Sequence, residues 1–198
     1  PVADAGVFTP AMLPIYVAIL SVLFLGERFG RSQLLGFGLI VLGALAVGGW
    51  EALHGGTEGA WRGHLMFSAA SMAWAAYTVA FRMSGLSALH AAALLCFWTF
   101  AGMLVLAAMF GTRFGEVPGT TLALQVFLQG VLSGFLATFT YGFAISRLGA
   151  SRTASFAALV PILAALGGWA ILGEPLSWLK GLGIVVVATG VVLASRRP

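Results

Sequence analysis

Apolar residues along this chain come in long unbroken runs rather than in stripes. Seven runs, at 7–25, 34–50, 65–81, 88–110, 122–145, 154–172 and 178–195, are each long enough to span a bilayer, whose ~30 Å hydrocarbon core takes about 17–25 residues of helix. None alternates with a period of two, and the spanning strands of a barrel are only about ten residues long. A lone span in lipid must satisfy its own backbone groups, so the runs are predicted to be helices. Polar residues and turn formers collect between them: GERFGRSQ at 26–33, EALHGGTEGAWRGH at 51–64, RMSGLS at 82–87, GTRFGEVPGT at 111–120, SRLGASR at 146–152 and GEPLS at 173–177. These links are too short to hold a separate soluble domain. The predicted fold class is all-α, a polytopic transmembrane helix bundle with seven spans visible.

Composition strengthens this reading. Charged residues are 8% of the chain and hydrophobic ones 60%, with a mean hydropathy of +1.02, whereas a soluble domain carries roughly a quarter charged residues. The net charge of +4 does not point to nucleic acid, because the ten basic residues are scattered between apolar runs instead of clustering on one face. They are unequally divided between the two sides. Arg28, Arg31, Arg82, Arg147, Arg152, Arg196 and Arg197 fall on one side and only Arg62, Arg113 and Lys180 on the other. The positive-inside bias makes the first side cytoplasmic, with the C-terminus inside and Pro1 outside, and the expected location is a bacterial inner membrane. Cys96 is the single cysteine, so an intrachain disulfide is excluded, and without a Cys/His cluster neither a metal site nor a cofactor is expected. A start at Pro1 with no basic signal-peptide flank reads as part of a longer protein.

The chain also repeats itself. AMLPIYVAILSVLFLGE, around Pro14 and Glu27, recurs as AALVPILAALGGWAILGE, around Pro161 and Glu174, 147 positions later. The register continues without a gap, with Gly36 on Gly183 and Gly43 on Gly190. Agreement of apolar letters is cheap; agreement of Pro, Gly-Glu, Gly and Gly in one register is not. The offset spans five predicted helices, an odd number, so the two copies cross the membrane in opposite directions. That is an inverted-topology repeat, a construction common among secondary transporters. Five helices plus five gives ten, of which seven are visible. Residues 1–50 are then the last two helices of the first repeat, and 63–198 the complete second repeat.

These motifs resemble the EamA-type branch of the drug/metabolite transporter superfamily. The resemblance rests on P-x11-G-E at 14–27 and again at 161–174, and the Gly-rich helix after each. SMAWAAYTVAFR at 71–82 and TYGFAISRLGASRTASFAALVPILA at 140–164 are also similar to that family's helices. The resemblance covers nearly the whole chain. It implies ten helices, cytoplasmic termini, and export or exchange of small metabolites through a central cavity.

Candidate solute contacts follow from depth in the bilayer. No Asp, Glu, Lys or Arg lies mid-span, where a charge costs about 2.5–3.5 kcal/mol and is kept for ion or substrate work. Uncoupled movement or exchange is therefore expected on this portion. Trp50, Trp61 and Trp178 fit an interfacial aromatic belt, whereas Trp74 and Trp98 fall near span centres. Ser71, Trp74 and Thr78 share a helical face, with Tyr77 beside them; Tyr16, Ser133 and Tyr141 lie at similar depth, and Gln129 about a turn away. Aromatic faces with a few hydroxyls suit an amino acid or an amphipathic cation, though packing between helices would use the same residues. Pro14 and Pro161 each remove a helical hydrogen bond and are candidate gating kinks. Gly26-Glu27 and Gly173-Glu174 end two helices. Glycine is the usual stop there, and each carboxylate, opposing its own helix dipole, is expected to meet a cation or a neighbouring helix's N-terminus. Gly36, Gly38, Gly43, Gly130, Gly134, Gly181, Gly183 and Gly190 allow close helix approach or a homodimer seam. His54, His64 and His90 are expected to cap or titrate rather than ligate.

The partners expected are a small-molecule solute and the lipid bilayer. A nucleophile with a base, or a set of metal ligands, is missing at depth, so an enzyme is disfavoured. The expected function is export or exchange of a small metabolite or drug-like solute by alternating access. The alternatives are a flippase for a lipid-linked substrate and a non-transporting membrane scaffold.

Overall fold

The computed structural model describes residues 2–46, 60–112, 114–172 and 178–196, and every regular element among them is helical. In chain order these are α1 (Val2–Leu25), α2 (Arg31–Ala44), α3 (Ala60–Ser84), α4 (Ala88–Phe110), α5 (Gly119–Leu148), α6 (Ala150–Ala157), α7 (Val160–Leu172) and α8 (Trp178–Ser195). Two compact units result, one of Pro1–Met83 with Gly149–Pro198 and one of Ser84–Leu148.

The first unit is organised by the pairing of α2 with α8. Glycines make it close. A Cβ on Gly36 would stand 2.7 Å from the Gly190 carbonyl oxygen, one on Gly43 2.8 Å from the Gly183 carbonyl oxygen, and one on Gly190 2.8 Å from the Gly36 carbonyl oxygen. Gly36 therefore lies against Gly190 and Gly43 against Gly183, so the two helices run antiparallel in near backbone contact. Ile40, Val187, Val191 and Ala194 fill the seam with Phe37, and Ala18, Ala158 and Ile162 continue the same core. The remaining predicted packing glycines behave differently: Gly38, Gly130 and Gly181 face open space, and Gly134 has only the Gln129 carbonyl oxygen of its own helix near it. A second core gathers Leu13 and Val17 of α1, Ala75 and Val79 of α3, and Ala150 and Ala154 of α6.

Helix ends follow local chemistry. Gly26 has φ +65°, a left-handed stop that costs glycine no Cβ clash, and the Glu27 N–H folds back to the Ser21 carbonyl at 3.1 Å. Gln33, in the first turn of α2, accepts from the Gly30 N–H at 2.9 Å and donates to the Arg196 carbonyl at 3.2 Å. One side chain thus serves an orphan donor at the start of α2 and an orphan acceptor at the end of α8.

In the second unit α4 packs on the last section of α5. Ser87 caps α4, accepting from the His90 N–H at 3.3 Å while its hydroxyl meets His90 Nδ1 at 2.9 Å. Within α5 the residues Val126–Leu136 form π-helical turns, a wide winding that recurs at functional sites. α4 and α5 are long and apolar enough to cross a membrane; Met12–Leu25, Arg31–Ala44 and Gly181–Ser195 are shorter apolar stretches. α3 has the length, at 25 residues, but its serines, Trp74, Tyr77 and Arg82 dilute its apolar character.

Several helix ends extend a few residues into the predicted links, and two differences are larger. The link at 146–152 is almost entirely helical, and only Gly149, at φ +89°, interrupts it. The run at 154–172 is not one helix: it breaks at Ala158–Leu159 into α6 and α7. Pro161 has no N–H to offer the carbonyl four residues back, and the chain tightens just before it, with Ala158 and Leu159 donating to the Ser155 and Phe156 carbonyls at 3.2 and 3.0 Å.

Candidate functional site

Along α3 the residues Ser71, Trp74 and Thr78 recur every three or four positions, which stacks them on one face. Ser71 and Thr78 are fully buried, while Trp74 is half-buried and packs with Tyr16 on the core shared by α1, α3 and α6. The Tyr16 hydroxyl shares a short hydrogen bond with that of Ser68, tying α1 to α3 one turn before Ser71. The Thr78 hydroxyl donates to the Trp74 carbonyl at 2.8 Å, satisfying itself within its own helix. Trp74 and Tyr77 lie with ring centroids 5.3 Å apart and tilted by 45°, and Tyr77 stacks on Phe81 at 6.3 Å and 15°. The result is a hydroxyl row, Ser68–Ser71–Thr78, with an aromatic ladder, Trp74–Tyr77–Phe81, on the same helix, and Tyr16 facing them from α1.

Tyr16, Ser71, Trp74, Tyr77 and Thr78 thus belong to the first unit. Ser68 was not among the candidates, although extending the three-residue stripe one step back from Ser71 points to it. Trp98, Ser133 and Tyr141 belong to the second unit. Trp98 is 67% exposed and meets Phe97 edge-on at 5.5 Å. Ser133 is exposed within the π-helical stretch, and Tyr141 is half-buried in the closing section of α5.

Pro14 is fully buried and α1 continues unbroken through it, whereas the helix before Pro161 is interrupted. Glu27 accepts a short hydrogen bond from Ser151 in the first turn of α6. Its carboxylate therefore sits at a helix N-terminus, where the dipole favours negative charge. The Ser155 hydroxyl in turn donates to the Ser151 carbonyl at 2.9 Å. Trp50, His54, Gly173 and Glu174 lie outside the described residues, as do the side chains of Trp61, His64 and Pro161.

The model of the EamA-like transporter family matches residues 1–49 and 61–196. The chain belongs to the EamA-like transporter family. A probable terminal-alkyne amino-acid exporter of Streptantibioticus cattleyicolor is 28% identical over 194 residues, covering 94% of this chain and 62% of that protein. An uncharacterized protein of Pseudomonas aeruginosa is 36% identical over 160 residues, covering 80% of this chain and 53% of that protein. The chain spans about 60% and about half the length of these two relatives. Members of this family are integral membrane proteins, in keeping with the two apolar helices of spanning length among the described residues.

Proposed function

We propose that the full-length protein moves a small metabolite, of the amino-acid or amphipathic class, across a bacterial inner membrane by alternating access, in the export or exchange direction. The observation that carries the reading is the row of hydroxyls on α3, fully buried at Ser71 and Thr78 and half-buried at Ser68, beside an aromatic ladder and faced by Tyr16, in a chain of this transporter family. Hydroxyls and ring faces hold an amphipathic solute without a mid-span charge. The exporter from Streptantibioticus, named for an amino-acid cargo, supports the same solute class.

The α2–α8 seam supports the inverted repeat of five plus five helices, seven of them in this chain. With a 147-residue offset, Gly183 is the counterpart of Gly36 and Gly190 that of Gly43. In a two-fold arrangement, a contact between one residue and a second residue's counterpart is matched by the reciprocal contact. Gly36 meets Gly190 and Gly43 meets Gly183, which is that exchange. The proposed division is residues 1–50 as the end of the first repeat and 63–198 as the second.

Cytoplasmic placement of the C-terminus draws on charge. The Glu27–Ser151 and Gln33–Arg196 hydrogen bonds bring Arg28, Arg31, Arg152 and Arg196 to one end of the first unit, the sidedness expected of an inward-facing rim. The Glu27–Ser151 bond at that end is assigned to a gate between α1 and α6. Trp98, Ser133 and Tyr141 are proposed further solute contacts, Pro14 and Pro161 paired gating elements, and Gly173-Glu174 the second helix-end motif. A homodimer through exposed apolar helix faces is the proposed assembly.

The test is solute flux in liposomes bearing the full-length protein, using labelled amino acids and amphipathic cations, with and without a pH gradient. Saturable flux that does not need the gradient is expected. No flux of any of these solutes, from protein that is folded and correctly inserted, would refute the assignment.

A further inference from the structure

The two faces of α2 differ. Gly36, Phe37, Ile40, Gly43 and Ala44 are buried, the glycines and Ile40 against α8, while Arg31, Leu34, Leu35, Gly38 and Leu42 are exposed. With Leu39 these exposed residues line an apolar groove of about 500 Å³. Gly38 forms a notch in it, for a Cβ there would have nothing within 4 Å. From residue 31 to residue 42 the groove runs ~16 Å at 1.5 Å per residue, close to the ~15 Å depth of one leaflet of a ~30 Å hydrocarbon core.

Its polar end carries a net positive charge. Arg31 lies at the mouth of the groove, Arg28 is exposed just before it, and Arg196 is held alongside by the Gln33 bond to its carbonyl. Among the described residues the acidic group at that end is Glu27, which is engaged by Ser151. The start of α2 adds the positive end of its dipole. An acyl chain fits the groove, and only an anionic headgroup complements the rim, since basic residues near the membrane surface favour anionic lipid.

We propose that the outer face of α2 is a binding site for one anionic phospholipid, its phosphate at Arg31 and one acyl chain lying along Leu34, Leu35, Gly38 and Leu42. The site is distinct from the α1–α3 hydroxyl row and does not depend on which solute is carried.

The test is native mass spectrometry of the full-length protein, after exposure to equal amounts of phosphatidylglycerol and phosphatidylcholine with the same acyl chains. The native protein is expected to keep at least threefold more phosphatidylglycerol. Arg31→Gln should lower retention at least threefold by weakening the headgroup contact. Gly38→Phe should do the same by filling the notch, and Arg82→Gln, on α3 and outside the lining of the groove, should leave retention unchanged. Gly38→Leu repeats the notch test with a smaller side chain should Gly38→Phe fail to assemble. Equal retention of the two lipids overturns the proposal, as does native-like retention in the Arg31 variant or in an assembled Gly38 variant. Solute flux is not part of the readout, so an error in the transport assignment leaves this result unaffected.

Discussion

Gly36→Ala and Gly38→Ala place the same methyl group two residues apart on one helix, with opposite expected results. At Gly36 the new Cβ meets only backbone, nearest the Ala194 nitrogen, and stands 2.7 Å from the Gly190 carbonyl oxygen and 2.9 Å from the Ala194 Cα. No side chain can swing aside, so reaching ordinary contact at 3.4 Å requires α2 and α8 to part by more than the ~0.7 Å that the Gly190 oxygen alone demands. Overpacking of this kind costs about 1–3 kcal/mol, against which alanine gains about 1 kcal/mol over glycine in a helix, leaving a net loss of up to about 2 kcal/mol. At Gly38 nothing lies within 4 Å, so the helical gain of up to about 1 kcal/mol stands alone. The two variants should differ by about 1–3 kcal/mol, with Gly36→Ala melting below the native protein and Gly38→Ala at or above it. Thermal unfolding of the full-length protein in one detergent, followed by tryptophan fluorescence, measures the order. A Gly36→Ala protein as stable as Gly38→Ala would refute the close α2–α8 seam and the two-fold exchange of contacts built on it.

Gln33→Ala should lower stability by about 1–3 kcal/mol, because it leaves a donor at the start of α2 and an acceptor at the end of α8 without their partner; faster amide exchange at Gly30 would localise the effect. Ser151→Ala removes a hydrogen bond to a carboxylate and should cost about 1.5–3 kcal/mol, read from the same melting curves. If that contact is a gate, a Glu27→Cys/Ser151→Cys pair in a Cys96→Ala background should lose solute flux when oxidised and regain it with reductant, whereas full flux from the cross-linked protein would remove the gate.

Much of this architecture is legible in the sequence because lipid leaves the chain few choices. Long apolar runs must be helices, and the glycines that must face another backbone keep one register, so Gly36, Gly43, Gly183 and Gly190 mark the seam. The Glu27 carboxylate likewise had to find compensation at the end of its helix, and it sits on the first turn of α6. What the sequence does not separate is glycine used for contact from glycine left open: Gly38 sits two residues from Gly36 and faces nothing. Pro161 signals a distortion, but the interruption falls at Ala158–Leu159, ahead of the proline, because the missing bond belongs to the preceding turn. The π-helical stretch of α5 has no clear signal beyond Gly130 and Gly134, whose lack of a side chain tolerates the unusual winding; at Gly134 a Cβ would be 3.0 Å from the Gln129 carbonyl oxygen. Ser68 carries a sequence signal only as the next step of the stripe back from Ser71, and its partner Tyr16 comes from a helix 52 residues away.

The most direct test of the solute site compares initial flux rates of native, Trp74→Ala and Trp178→Ala full-length proteins in liposomes at matched protein density. Trp178 is 80% exposed and serves as the interfacial control. Loss of one ring face from a solute contact removes about 0.5–2 kcal/mol, so Trp74→Ala should raise the half-saturating solute concentration about two- to thirtyfold, with Trp178→Ala near native. Identical saturation curves for Trp74→Ala and the native protein would contradict a solute site on α3.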